Sequence, residues 1–98
     1  MCILLLGILL VLGLGVAGRA VLDALVRRGV DVVAVDDAPG LEARRIVERL
    51  GVPLVEAPTV ADWPRLLDGI AEVAMGPGIP DAHPCHDAAW AAGVPVVD

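Results

Sequence analysis

The chain has 98 residues, a formal charge of −6 from 7 basic and 13 acidic side chains, and 57% hydrophobic residues. That length suits one small domain with one core, spanning residues 1–98. The acidity, with no basic cluster beyond Arg27-Arg28 and Arg44-Arg45, argues against a nucleic-acid partner.

Met1 to Gly18 carries no charge, which meets the crude length test for a membrane span. Four glycines interrupt it (Gly7, Gly13, Gly15 and Gly18), and no basic residue precedes it as a signal peptide requires. A parallel strand covered on both faces also reads as a continuous apolar run. Ile8 to Leu12 is therefore read as a buried strand and the protein as a non-membrane, cytoplasmic one. Met1 to Gly7 is an unusual start to that strand or a tail on apolar surface.

Gly13-Leu14-Gly15-Val16-Ala17-Gly18 follows, a Gly-x-Gly-x-x-Gly turn leading into a helix from Val16 to Arg28. A second apolar run, Val30 to Val35, ends in Asp36-Asp37. Strand, glycine turn, helix, strand and acid make the layout of a nucleotide-binding βαβ unit. Gly13 permits the tight turn, Gly15 lets backbone approach a diphosphate, and Gly18 lets the helix pack closely on the sheet. The helix start supplies unpaired N–H groups and the positive dipole end. An acid at the position of Asp36 suits a ligand hydroxyl.

Leu41 to Leu50 predicts a helix stopped by Gly51, and Val52 to Val55 a short strand. Glu56-Ala57-Pro58 turns toward a short helix through Trp63 to Leu67, capped by Asp62 or Thr59 with Pro64 in its first turn. Ile70 to Met75 is the next strand and Gly76-Pro77-Gly78-Ile79-Pro80 a sharp loop. A helix from Pro84 to Ala92, closed by Gly93, precedes a strand at Val94 to Val97. The alternation predicts an α/β, Rossmann-like three-layer sandwich: a five-stranded parallel sheet of order 3-2-1-4-5 with about four helices. Its switch point sets the glycine turn beside the loop after the fourth strand, where ligands bind in such sheets.

Catalytic equipment is sparse. The chain has no Lys, Ser, Asn, Gln, Tyr or Phe, hence no Gly-Lys-Ser/Thr phosphate loop, Schiff-base lysine or serine nucleophile. Cys2, Cys85 and Thr59 remain as nucleophile candidates. The two cysteines are far apart and form no CxxC pair, consistent with a reducing compartment. His83, Cys85, His86 and Asp87 cluster in sequence, but zinc sites draw ligands from two separated pairs, and Pro84 opens a helix there. No metal site is expected. Trp63 and Trp90 are read as core or edge packing.

Val11 to Ala20, Val33-Ala-Val-Asp-Asp37, Gly76 to Pro80 with His83-Pro84, and Ala91 to Val97 together resemble the N-terminal domain of the Mur ligases of the MurD type, over Ile8 to Val97. The resemblance implies a domain holding the UDP part of UDP-N-acetylmuramoyl-L-alanine in peptidoglycan synthesis. On it, Gly13 and the backbone at Gly15, Val16, Ala17 and Gly18 lie at the diphosphate, Asp36 and Asp37 at the uracil, and Pro77 and Gly78 line the same pocket. It also implies that the whole ligase forms an acyl phosphate from ATP, with magnesium, and then takes up D-glutamate. The lysine-bearing ATP loop, the carbamylated metal-holding lysine and the remaining Mur ligase domains would lie outside these 98 residues. The chain itself is then expected to bind UDP or the UDP-sugar, to hold no cofactor and to ligate nothing. Three positions depart from the family pattern. Ala17 stands where Ser or Thr is frequent, Asp37-Ala38 replaces a polar or basic pair, and Gly76 replaces the Ser of Ser-Pro-Gly. Two other readings remain: an NAD(H) domain of an oxidoreductase or sensor, since Asp36 also suits a ribose diol, and a dimerising scaffold without ligand.

Overall fold

The computed structural model describes residues 7–97, so the Met1 to Leu6 part of the N-terminal reading lies outside it. The strands are β1 (Ile8–Leu12), β2 (Val32–Asp36), β3 (Leu54–Glu56), β4 (Ile70–Met75) and β5 (Val96–Val97). The helices are α1 (Val16–Arg27), α2 (Leu41–Leu50), α3 (Trp63–Leu66), preceded by a 3-10 turn at Val60–Asp62, and α4 (Pro84–Ala92). All strand pairs are parallel, in the order β3-β2-β1-β4-β5. This is the expected sheet. Among the described residues no helix is long and apolar enough to cross a membrane.

Side chains alternate across each strand, so one apolar run feeds two cores. Leu10 and Leu12 of β1, Val35 of β2, and Val73 and Met75 of β4 face one side, against Trp63, Leu67, Cys85 and Ala89. Val11, Val32 and Ala34 face the other, against Leu22 of α1 and Ala43 and Val47 of α2. Leu10, Leu12, Leu22, Val35 and Val73 are wholly buried, and each such side chain contributes about 1.5–3 kcal/mol relative to exposure. The β1 run is thus apolar because both its faces are covered. Trp63 is 1% exposed, as a core residue, whereas Trp90 on α4 is 89% exposed and packs in neither core.

Three strands start two residues later than their apolar runs, for one reason. Val30, Val52 and Val94 donate their N–H groups to Leu25, Val47 and Ala89, five residues back, at 3.1, 3.0 and 2.9 Å. The preceding Gly29, Gly51 and Gly93 bond three residues back, to Val26, Glu48 and Trp90. These paired bonds close the helix C-termini as Schellman motifs. Each valine is spent on ending a helix, so β2 begins at Val32, β3 at Leu54 and β5 at Val96.

Candidate functional site

The site forms where β1, β2 and β4 end side by side. The turn after β1 is fixed to both neighbours: Gly13 N–H donates to the Val35 carbonyl and Gly76 N–H to the Leu12 carbonyl, each at 2.9 Å. Gly13 has φ +92, a conformation closed to ordinary side chains. A Cβ on Gly18 would lie 1.8 Å from the Gly13 carbonyl oxygen, so only glycine lets α1 sit against the turn.

Gly15 is the N-cap of α1, with φ −71, and contributes no side-chain cap. A Cβ there would meet nothing within 4 Å. The first turn of α1 holds no acidic residue, and Val16 and Ala17 are exposed. No carboxylate of the helix's own first turn therefore competes for these N–H groups, which stand at the positive end of the helix dipole. Arg19, on the same helix, donates from Nη1 to the Leu14 carbonyl at 3.1 Å, which draws its guanidinium onto the turn.

The two aspartates after β2 do different things. Asp36 holds the turn: Oδ2 accepts the Leu14 N–H at 2.7 Å and Oδ1 accepts the Ala38 N–H at 2.8 Å. Asp37 reaches across to the loop after β4, where its Oδ2 lies 2.8 Å from Nε2 of His83. His83 is buried, caps α4 by accepting the Cys85 N–H at Nδ1 (3.0 Å), and stands edge-on to Trp63 with ring centroids 5.7 Å apart. With Nδ1 an acceptor, the proton resides on Nε2 and is donated to Asp37.

Gly13, Gly15, Val16, Ala17, Gly18, Asp36, Asp37, Pro77 and Gly78, read from the sequence as site residues, all line one cleft of about 320 Å³. Leu14, Ala38, Gly76 and Ile79 complete its walls. Larger hollows, of about 520 and 640 Å³, lie at the opposite ends of the strands around Ile8, Val30 and Asp31. The carbonyl ends of α1 and α2 point there, which disfavours an anion. His83 is the residue that sequence reading missed. Its place before Pro84 marks a helix start, but its tie to Asp37, 46 positions away, leaves no trace in local pattern.

Cys85, a nucleophile candidate, is wholly buried in the α4 core, and burial pushes its thiol up to about 11. Thiolate chemistry is closed to it near neutrality. Thr59 is engaged locally: its N–H and hydroxyl both donate to Oδ2 of Asp62, at 2.8 and 2.9 Å. Among the described residues no group of three or more His, Cys, Asp or Glu is placed to hold a metal ion.

The family model for the N-terminal domain of MurD-like Mur ligases matches residues 8–98. The chain belongs to the family of MurD-like Mur ligase N-terminal domains. The UDP-N-acetylmuramoylalanine–D-glutamate ligase of Rubrobacter xylanophilus is 38% identical over 88 residues, 90% of this chain and 19% of that one. The ligase of the same name from Myxococcus xanthus is 43% identical over 91 residues, 89% of this chain and 19% of that one. The chain thus spans about a fifth of the length of these relatives. The UDP-N-acetylmuramate:L-alanyl-gamma-D-glutamyl-meso-diaminopimelate ligase of Neisseria meningitides superposes with a TM-score of 0.76 at 16% identity, over 95% of this chain and 28% of that one. Saccharopine dehydrogenase of Saccharomyces cerevisiae gives 0.67 at 20% identity, over 92% and 21%. Both are similar in fold alone.

Proposed function

We propose that this MurD-like N-terminal domain binds the UDP moiety of UDP-N-acetylmuramoyl-L-alanine, as the substrate-holding part of a ligase that adds D-glutamate. The observation that carries the reading is the open N-terminus of α1. Its N–H groups are uncapped by any side chain, Gly15 leaves clear space above them, and the cleft they line also holds Asp36, Asp37 and the Gly76 to Ile79 loop. A diphosphate fits that arrangement: backbone donors and the helix dipole receive the charge, and the carboxylate side receives the nucleoside's donors. The names of the relatives supply the rest of the substrate.

A nicotinamide dinucleotide is the second reading, since each oxygen of Asp36 accepts one backbone N–H and keeps a lone pair for a ribose hydroxyl; the family match over residues 8–98 favours the uridine ligand. We place the chemistry of ATP and magnesium outside these residues, because the chain has no lysine and its arginines do not converge on the cleft. The test is calorimetric titration with UDP, UDP-N-acetylmuramoyl-L-alanine and NADH. The two uridine ligands should bind and NADH should not. NADH binding tighter than UDP would overturn the assignment. Affinity should be modest, since one domain buries only part of such a ligand.

A further inference from the structure

We propose that the apolar groove between α1 and the β4–β5 edge of the sheet docks an amphipathic helix of MurD-like ligase polypeptide from beyond this domain. Parallel sheets carry cover on both faces, and here one face is a helix short. On one side, Trp63, Leu67, Cys85 and Ala89 pack over Val73 and Met75 of β4, with Val96 of β5 against them. On the other, the buried cluster comes from α1, α2, β1, β2 and the glycine turn, with no buried residue from β4 or β5. Exposure follows the same division. Val73 and Met75 are buried, whereas Glu72 and Ala74 of β4 are half-buried, and Val21 of α1 and Val97 of β5 are 41% and 47% exposed.

The uncovered strip is a groove of about 390 Å³, floored by Leu9, Val11, Ala74 and Val97 and walled by Val21 and Leu25 of α1. Among the described residues that line it, Glu72 alone is charged, at the end away from the cleft. Strands lie about 4.8 Å apart, so two of them offer a strip about 10 Å wide, the width of one helix. From Glu72 to Gly76 the strip is about 13 Å long at about 3.3 Å per residue, or about two and a half helical turns. The occupant follows from where β5 delivers the chain. The matched family is an N-terminal domain, and the chain spans about a fifth of the relatives' length, so in those ligases polypeptide continues past the counterpart of β5. Val97, paired with Ala74, lines the groove at the end of β5 nearer the cleft. Polypeptide leaving β5 there enters the groove through a short turn and runs back along it toward Glu72. A helix laid in that direction brings its C-terminal turn to Glu72, so a Lys or Arg in that turn answers both the carboxylate and the helix dipole. The partner is thus a helix with an apolar stripe about two to three turns long that ends in a basic residue.

The test compares this chain with the same chain extended at its C-terminus by about 20 residues, enough for a turn and such a helix. The added sequence is the one that follows the matched segment in the Rubrobacter xylanophilus ligase. Val21→Cys and Val97→Cys report on the groove, and both positions are exposed enough to accept the change without unfolding. Ala20→Cys, exposed on α1 and outside the groove, is the reference. Alkylation by iodoacetamide is followed by peptide mapping, which separates these thiols from Cys2 and Cys85. In the unextended chain the three positions should label at comparable rates. In the extended chain positions 21 and 97 should slow at least about tenfold, as for a helix docked about nine-tenths of the time, with position 20 unchanged. A scrambled extension of the same composition should protect neither. Protection by the scrambled sequence, or none by the ligase sequence, overturns the proposal. Protection already present in the unextended chain overturns it too: if it grows with protein concentration the groove takes a second copy, and if it does not, the chain's own N-terminal residues fill it. No nucleotide enters the assay, so its outcome does not depend on the uridine reading.

Discussion

Replacing Gly15 with valine should abolish UDP binding while the domain stays folded. The left-handed backbone lies at Gly13, with φ +92, whereas Gly15 has φ −71 and ψ −167, an extended conformation any residue adopts. A Cβ there meets nothing within 4 Å, so the added side chain displaces no protein atom. The folding cost is confined to the N-cap, where a residue unable to cap is worse than glycine by up to about 1 kcal/mol. Against a stability of about 5–15 kcal/mol the fold persists, with a melting temperature lower by at most about 4–8 °C. The ligand fares otherwise, because valine fills the space through which a diphosphate reaches the α1 N–H groups. Gly18→Ala is the counterpart. Its Cβ would sit 1.8 Å from the Gly13 carbonyl, so the turn or the helix must shift, and it should lose stability as well as binding. Circular dichroism melts and UDP titration of both variants read the contrast. Parent-like UDP affinity in Gly15→Val, with an unchanged spectrum, would refute the reasoning and leave the glycine turn a purely structural device.

Three further outcomes follow from the same geometry. With the Cys85 thiol at about 11, its thiolate fraction at pH 8 is about one in a thousand; peptide mapping after iodoacetamide should show it alkylated at least about a hundredfold more slowly than a free cysteine, and comparable rates would place it outside the core. Asp62 is held below its ordinary 3.8 by the Thr59 N–H and hydroxyl, and Glu56 below 4.5 by its bond to Arg44. Lowered carboxylates stabilise the fold above their unfolded values and lose that contribution as pH falls through the folded ones, so urea midpoints should drop below about pH 4.5, with a shallower slope in the Asp62→Asn, Glu56→Gln double variant; an identical slope would remove both groups from the account. Mixed with ATP, magnesium, UDP-N-acetylmuramoyl-L-alanine and D-glutamate, the chain should release no phosphate above background, since phosphoryl transfer needs positioned cationic groups and metal and the 7 basic side chains here are all arginines; release that depends on D-glutamate would contradict a binding-only role.

The sheet order was legible because short, mostly apolar strand segments alternate with helical ones, and Gly29, Gly51 and Gly93 follow the ends of α1, α2 and α4. Boundaries were less so. Val30, Val52 and Val94 look like strand residues by type, yet each closes a helix with its N–H, and side-chain chemistry carries no sign of that backbone duty. The cleft was legible in its backbone half. A glycine turn announces itself through Gly13, Gly15 and Gly18: Gly13 takes a left-handed φ, Gly18 sits against the Gly13 carbonyl, and Gly15 leaves clear space beside the helix start. The side-chain half was not: Asp36 and Asp37 are indistinguishable as letters, and what separates them is a histidine 46 residues beyond Asp37 that only the folded sheet brings alongside.

The composition and the cleft explain one another. A chain without Lys, Ser, Asn, Gln, Tyr or Phe has few side chains with which to grip a charged ligand, and its cleft carries two aspartates. Those acids repel phosphate at close range, so a diphosphate can be received only where backbone donors outweigh them. The fold arranges this by spending Asp36 inward on the Leu14 and Ala38 N–H groups and pinning Asp37 to His83. The α1 N-terminus is left without a neighbouring acid in its first turn. On the proposed reading, recognition by helix dipole and N–H groups is insensitive to side-chain identity at Val16 and Ala17, so the missing hydroxyl at Ala17 does not count against a diphosphate there.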